Sequence, residues 1–236
     1  MIESASAVGD RNGPAQHGQD PLEEAGQRVD AREQRFHAAL SRVDLGQQLD
    51  PEEFHDFTES RPEVSLQEGL VRRIDWPAHT LSAAVLPGGG PDLVLLTAVE
   101  PQLRWRTYCA TVVEVARALG CEMVLTLGSL LADMPHTRPV RITGTVGSPE
   151  LAEELGLSQS RYEGPTGIVG VLHDALRTAG VRSASLWASV PHYVGRSPSP
   201  SAALALVERA APILGIDPDV TSLQIEAVQY LSLIHI

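Results

Sequence analysis

The chain has 236 residues, 43% of them apolar, and its 30 acidic against 18 basic side chains give a formal charge of −12. That length fits one large domain or a domain with a tail, and the apolar content suffices for a sizeable core. The negative balance repels nucleic-acid phosphates and anionic membrane surfaces, so no nucleic acid and no membrane is expected as a partner.

The start lacks a basic region followed by an apolar stretch, and no apolar run approaches the roughly 20 residues a membrane span needs. A cytoplasmic protein is the expectation. Residues 1–20 are glycine, proline, glutamine and charge; they bury too little surface to offset the entropy of ordering and are expected to be disordered. A single α/β domain is expected over 21–230. From Leu22 to Val43 the residues Leu22, Ala25, Val29, Phe36, Leu40 and Val43 recur at helical spacing and predict an amphipathic helix.

Val64–Ile74 and Thr80–Leu86 alternate apolar and polar residues around Trp76-Pro77, which reads as two strands joined by a turn. The Gly88-Gly-Gly-Pro91 turn leads into Asp92–Thr97, a run apolar on both faces, as a central strand is. Leu103–Leu119 has helical spacing with Gly120 as its stop. Strands are predicted at Glu122–Leu127 and Val140–Val146, then a short helix opened by Ser148-Pro149 and closed by Gly156. A helix from Pro165 or Thr166 to about Ala179 precedes a strand over Ser183–Val190. Ser199-Pro200 opens another helix running to Leu214, and Asp217-Pro218 caps a last one. Alternating strands and helices imply a three-layer α/β protein: a mostly parallel or mixed sheet with helices on both faces.

Cys109 and Cys121 sit in apolar surroundings without metal-type pair spacing, so buried reduced thiols are expected. No metal and no cofactor is expected. Ligands of open α/β sheets bind beyond the carboxyl ends of strands, and two histidine loops leave strands at such ends. His136 follows Glu122–Leu127 and His192 follows Ser183–Val190. Beside Asp133, Arg138 and Tyr193, the two imidazoles form a set suited to acid–base work or to holding an anion. The simpler alternative is that Pro135 and Pro191 shape turns whose histidines bond nearby carbonyls.

Gly164-Pro-Thr-Gly-Ile-Val-Gly170 opens a helix, where free N–H groups can cradle a phosphate or carboxylate, with Gly164, Thr166 and Gly167 as candidates. No Walker lysine is present, and Gly167 and Gly170 equally suit close helix–sheet packing. Glu163 is a candidate general base or a dipole partner. Arg104-Trp-Arg106 places cations at a helix start, against the dipole. Arg106 is a candidate anion contact; the alternative pairs Arg104 or Arg106 with Glu100 or Asp133. No Gly-x-Ser-x-Gly elbow occurs, which argues against covalent catalysis.

Taken in order, Asp56-Phe-Thr-Glu-Ser-Arg-Pro62, Arg73-Ile-Asp-Trp-Pro77, Glu100-Pro-Gln-Leu-Arg-Trp-Arg106, the Leu127–Pro139 loop, Arg161–Gly170 and Val190–Val194 resemble the proteasome assembly chaperone family, PAC-two type, over about residues 49–219. The resemblance implies a layered α/β domain of nucleoside-phosphorylase-like architecture. It implies a non-enzymatic binding or assembly protein, with a proteasome-like ring as partner and self-association, a trimer being one size. The other function in view is a small-ligand binder or a hydrolase- or phosphorylase-like enzyme using the His136/His192 cleft. Members of that family usually open with a buried apolar strand, and nothing in residues 1–48 resembles it. Leu231-Ser-Leu-Ile-His-Ile236 reads as an in-frame translation of a transposon-type sequencing adapter, the alternative being a short apolar tail. A truncated sequence is therefore expected.

Overall fold

A computed structural model describes residues 49–67, 71–86, 91–194 and 198–234. The expected disordered tail, the predicted helix 22–43 and the glycines at 88–90 lie outside them. In chain order the elements are α1 Pro51–Phe54, β1 Glu63–Gln67, β2 Val71–Asp75, β3 His79–Ala84, β4 Leu93–Ala98, α2 Trp105–Ala118, β5 Met123–Ala132, β6 Ile142–Val146, α3 Pro149–Leu155, β7 Ser158–Gln159, α4 Ile168–Thr178, β8 Arg182–Pro191, α5 Pro200–Leu214 and α6 Thr221–Ile234.

β8 organises the rest, and its sequence explains how. Ala184, Leu186, Ala188 and Val190 point to one face and are buried, while Ser183 and Ser185 point to the other and are buried too. On the first face Ala184 packs with Leu151 of α3, and Ala188 and Val190 pack with Ala202 of α5. On the second face the α4 residue His173 bonds Ser183 Oγ and Thr126 Oγ1, each at 2.9 Å. Helices therefore cover both faces of the sheet, giving the three expected layers. The sheet is mixed, in the order β5-β8-β6-β7: β8 runs parallel to β5 and antiparallel to β6, and β6 is parallel to the short β7.

Two glycines make that sheet close. A Cβ on Gly128, inside β5, would stand 2.6 Å from the Trp187 ring of the facing strand. A Cβ on Gly144, inside β6, would meet Leu157 at 2.4 Å and Leu186 at 2.9 Å. Each glycine thus makes room for a large cross-strand partner.

A second apolar cluster joins Tyr108, Cys109, Val112 and Val115 of α2 to Ile168 of α4 and to Leu49 and Phe54 at α1, with Leu81 of β3 packed against it. Burial pushes the Cys109 thiol up to about 11 and raises that of Cys121 as well. Neither is in a disulfide; Cys109 is buried as expected, whereas Cys121 is only partly buried.

Several predicted elements differ, β5 and α4 among them. Val64–Ile74 is not one strand but a hairpin, β1 against β2, in register Glu63↔Asp75 through Gln67↔Val71. Its alternation puts Val64, Leu66 and Ile74 on one face, each more than half exposed. Trp76-Pro77 links that hairpin to β3, which pairs with β4 in a separate two-stranded sheet. β4 is therefore not central among the described residues: Leu95 and Leu96 are exposed. At the last helix the N–H of Thr221 is capped by Asp219 Oδ1 at 2.9 Å rather than by Asp217, moving its start past Pro218. Elsewhere the N-cap serines Ser148 and Ser199 are where the sequence puts them.

His173 carries a pH consequence. Burial holds its imidazole below the ordinary value near 6.5, so it is neutral between its two hydroxyl partners. The unfolded chain takes up the proton first, so this stabilisation is present above the ordinary value and lost on acidification. The thermal midpoint should fall between about pH 8 and about pH 5. His173→Leu should be less stable at the upper end by about 1–3 kcal/mol and show a shallower fall.

Candidate functional site

β5 and β8 are parallel neighbours whose last paired residues are Ala132 and Pro191. The loops that follow must therefore leave the sheet side by side, at its carboxyl end. There Tyr193 Oη accepts the His136 backbone N–H at 2.8 Å and bonds His136 Nδ1 at 2.9 Å. The His136 and His192 rings both meet the Tyr193 ring edge-on, with centroids 5.9 and 5.4 Å away. Pro191 is buried while His192 and Tyr193, in a single 3-10 turn, are exposed. Asp133 and Arg138 lie in the same loop as His136 and are exposed.

The local cause is the strand length. β5 does not stop at Leu127 but continues five residues further, to Ala132, because Gly128 admits Trp187 and keeps the two strands in register. The extension leaves Leu130 and Leu131 exposed beside the histidine loop. Tyr193→Phe should cost about 1 kcal/mol and speed exchange of the His136 amide hydrogen, which NMR reads directly.

The third loop forms its own structure. Tyr162 Oη donates to the Pro165 carbonyl at 2.7 Å and arches over Gly164, whose φ is +152°. α4 starts at Ile168, not Thr166, with Gly167 as its N-cap. A Cβ on Gly167 would lie 3.5 Å from Glu100 Oε1, so a carboxylate of the chain itself approaches this helix start. Thr166 Oγ1 turns back over Gly170, where a Cβ would collide at 2.0 Å. Glu163, Gly164 and Thr166 are exposed. α4 turns tightly into β8 through Gly180, so it runs antiparallel to that strand and its start faces the same carboxyl end.

Arg104 is the N-cap of α2, in left-handed backbone at φ 53°. Its guanidinium leaves the helix axis, pairs with Glu53 of α1 at 2.5 Å and lies 5.8 Å over the Phe54 ring. That partner is neither Glu100 nor Asp133, and it relieves the cation-at-helix-start conflict read from the sequence. Both partners are about half exposed, so the pair contributes little to stability. Arg106 is exposed, and Trp105 Nε1 donates to the Pro101 carbonyl at 2.6 Å.

A shallow cleft of about 280 Å³ opens at the opposite end of the sheet, where β8 begins, lined by residues including Ser148, Glu154, Arg177 and Arg182. Its arginines are paired, Arg182 with Glu154 and Arg177 with Asp174, both at 2.5 Å. It shares no residue with the histidine set. Among the described residues no group of three or more His, Cys, Asp or Glu is placed to hold a metal ion, and no helix is long and apolar enough to cross a membrane.

These features define a three-layer α/β protein with a mixed sheet whose polar bends collect at one sheet end. The PAC2 family model matches residues 44–234, and the chain belongs to the PAC2 family. It is similar to the Mycobacterium tuberculosis proteasome-assembly chaperone homologue Rv2125, at 40% identity and TM-score 0.71 over 79% of each chain. It is also similar to a PAC2 family protein of Streptomyces avermitilis, at 38% identity and TM-score 0.72, covering 93% of this chain and 92% of that one. The fold extends to PbaB of Pyrococcus furiosus, an archaeal proteasome activator, at 16% identity and TM-score 0.61, covering 73% of this chain and 75% of that one. No curated protein sequence matches the chain.

Proposed function

We propose that this chain is a non-enzymatic assembly factor that binds a proteasome-type ring and acts as a homo-oligomer, a trimer being the size to test, in the cytoplasm. The observation that carries the reading is its 40% identity, over most of its length, to a protein described as a proteasome-assembly chaperone homologue. The carboxyl-end rim suits a protein partner: Leu130, Leu131 and Tyr193 are each more than half exposed there, beside Arg138. Aromatic and arginine anchors among exposed apolar side chains are what protein interfaces use. Binding of the full chain to purified proteasome core particles, followed by co-elution, tests the partner; light scattering on the chain alone tests the oligomer. Failure to co-elute removes the ring from the reading, and a monomer removes self-association.

A second reading, a small-ligand binder or hydrolase, is favoured by one observation: His136 and His192 flank the same tyrosine. A ligand that binds the folded form raises its thermal midpoint. Nucleosides and inorganic phosphate should leave that midpoint unchanged if the assembly reading holds, and raise it if the enzyme reading does.

A further inference from the structure

Two histidines from separate parts of the chain meet in the apolar cluster beside α1. His55 ends α1 and is buried, and His79 opens β3. Their Nε2 atoms are 3.3 Å apart, with rings 18° from parallel and centroids 5.0 Å apart. Each ring has its other nitrogen committed. His79 Nδ1 lies 3.1 Å from the Leu49 carbonyl oxygen, which only accepts, so that nitrogen carries a proton.

His55 Nδ1 lies 3.2 Å from Gln102 Oε1. The amide is held in this orientation by its other bonds: Nε2 donates to the Glu100 carbonyl at 2.6 Å and to Ser60 Oγ at 2.9 Å, while Oε1 accepts the Asp56 N–H at 3.2 Å. Turned over, it would press Oε1 against the Glu100 oxygen and its NH2 against the Asp56 N–H. Oε1 is therefore the acceptor, and His55 Nδ1 carries a proton as well.

A neutral imidazole has a single N–H. With both Nδ1 atoms protonated, two neutral rings would aim bare lone pairs at each other. We propose that His55 and His79 share one additional proton between their Nε2 atoms, forming a singly charged imidazole–imidazolium clasp that ties Leu49–His55 to β3 and opens with pH. Among the described residues no third metal-ligating side chain joins the pair, so a proton rather than a metal is the cation that fits.

The surroundings accept one charge and no more. Glu53 of α1 is spent on Arg104, and Asp56 is spent on Thr58. Glu52, Glu59 and Glu100 are exposed; the Glu100 backbone carbonyl accepts from the Gln102 amide, while its carboxylate lies near Gly167. From α2, Tyr108 lies 5.3 Å from the His79 ring with its phenol pushed up to about 12, chiefly by burial, and Cys109 is held protonated in the same way. Both are neutral. In β4 the residue opposite His79 is Ala98. A second proton is opposed by burial and by the neighbouring imidazolium, both of which hold His79 below the ordinary value. Stability from this exclusion is present above the ordinary value and lost as pH falls. Stability from the shared proton is lost in the other direction, as pH rises and the proton leaves.

The test is an NMR titration of the full chain with nitrogen-labelled histidines. The expected result is that the two rings titrate as a coupled pair rather than independently, with both Nδ1 atoms protonated while one further proton is shared between the Nε2 atoms. Independent single steps, two neutral rings at about pH 7, or a bond lost on treatment with a chelator and restored by zinc would each overturn the proposal. In His79→Phe, which keeps an aromatic ring against Phe54 and Tyr108, the deficit in thermal midpoint relative to the unsubstituted chain should shrink as pH rises and the shared proton leaves. Should that variant not fold, His55→Gln gives the same comparison, with His79 now titrating alone. An unchanged pH profile in the variant that folds would contradict the clasp.

Discussion

Leu186→Ala should lower the free energy of unfolding by about 2–5 kcal/mol, seen as a reduced urea midpoint at constant slope. Leu186 is fully buried in an inner strand of the sheet, and its side chain lies over Gly144, which has no side chain with which to refill the space. The loss should therefore fall toward the upper end of that range, since the cost grows with the cavity that remains. A loss under about 1 kcal/mol would mean that β6 and β8 are not packed as described.

Leu131→Asp should weaken binding to proteasome core particles by about 10-fold or more, equivalent to about 1.4 kcal/mol, with an unchanged thermal midpoint. Leu131 is 67% exposed at the rim that carries His136 and Tyr193, so the substitution removes no core contact while placing a charge where the proposed partner docks. Leu66→Asp, on the exposed face of the β1–β2 hairpin and 62% exposed, is the control and should leave ring binding unchanged. Equal losses from both would move the docking surface away from the rim.

Much of the layered architecture could be read from residue order, because the sheet core is written in periodicity. Ser183–Val190 alternates apolar residues with serines except at Trp187, and Ser183 and Ser185 find His173 and Thr145 as partners. Helix ends with a serine-proline start or a glycine stop were equally plain. The β1–β2 hairpin was not: the alternation of Val64–Gln67 breaks at Glu68-Gly69 and does not resume cleanly through Leu70-Val71 and Arg72-Arg73, and the Glu68-Gly69 pair is the hint of a turn that a one-strand reading passes over. The five added residues of β5 were hidden because Gly128 and Ser129 read as loop chemistry, while their true cause, Trp187, is distant in sequence.

The histidine loops emerge at one end of the sheet because parallel strands fix where their loops leave, even though β5 ends at Ala132 and not at Leu127. That His136 would bond Tyr193 required knowing that β5 and β8 are neighbours, which pattern alone does not state. The His55–His79 contact was missed altogether, because His79 begins a strand and His55 follows a helix of one turn, and neither position shows periodicity.

The most direct test of the central claim is co-elution of the full chain with purified proteasome core particles, followed over a series of chain concentrations. Saturable binding is expected, weakened by Leu131→Asp and not by Leu66→Asp. No binding at any concentration, from a chain whose thermal midpoint and oligomer are intact, would contradict it.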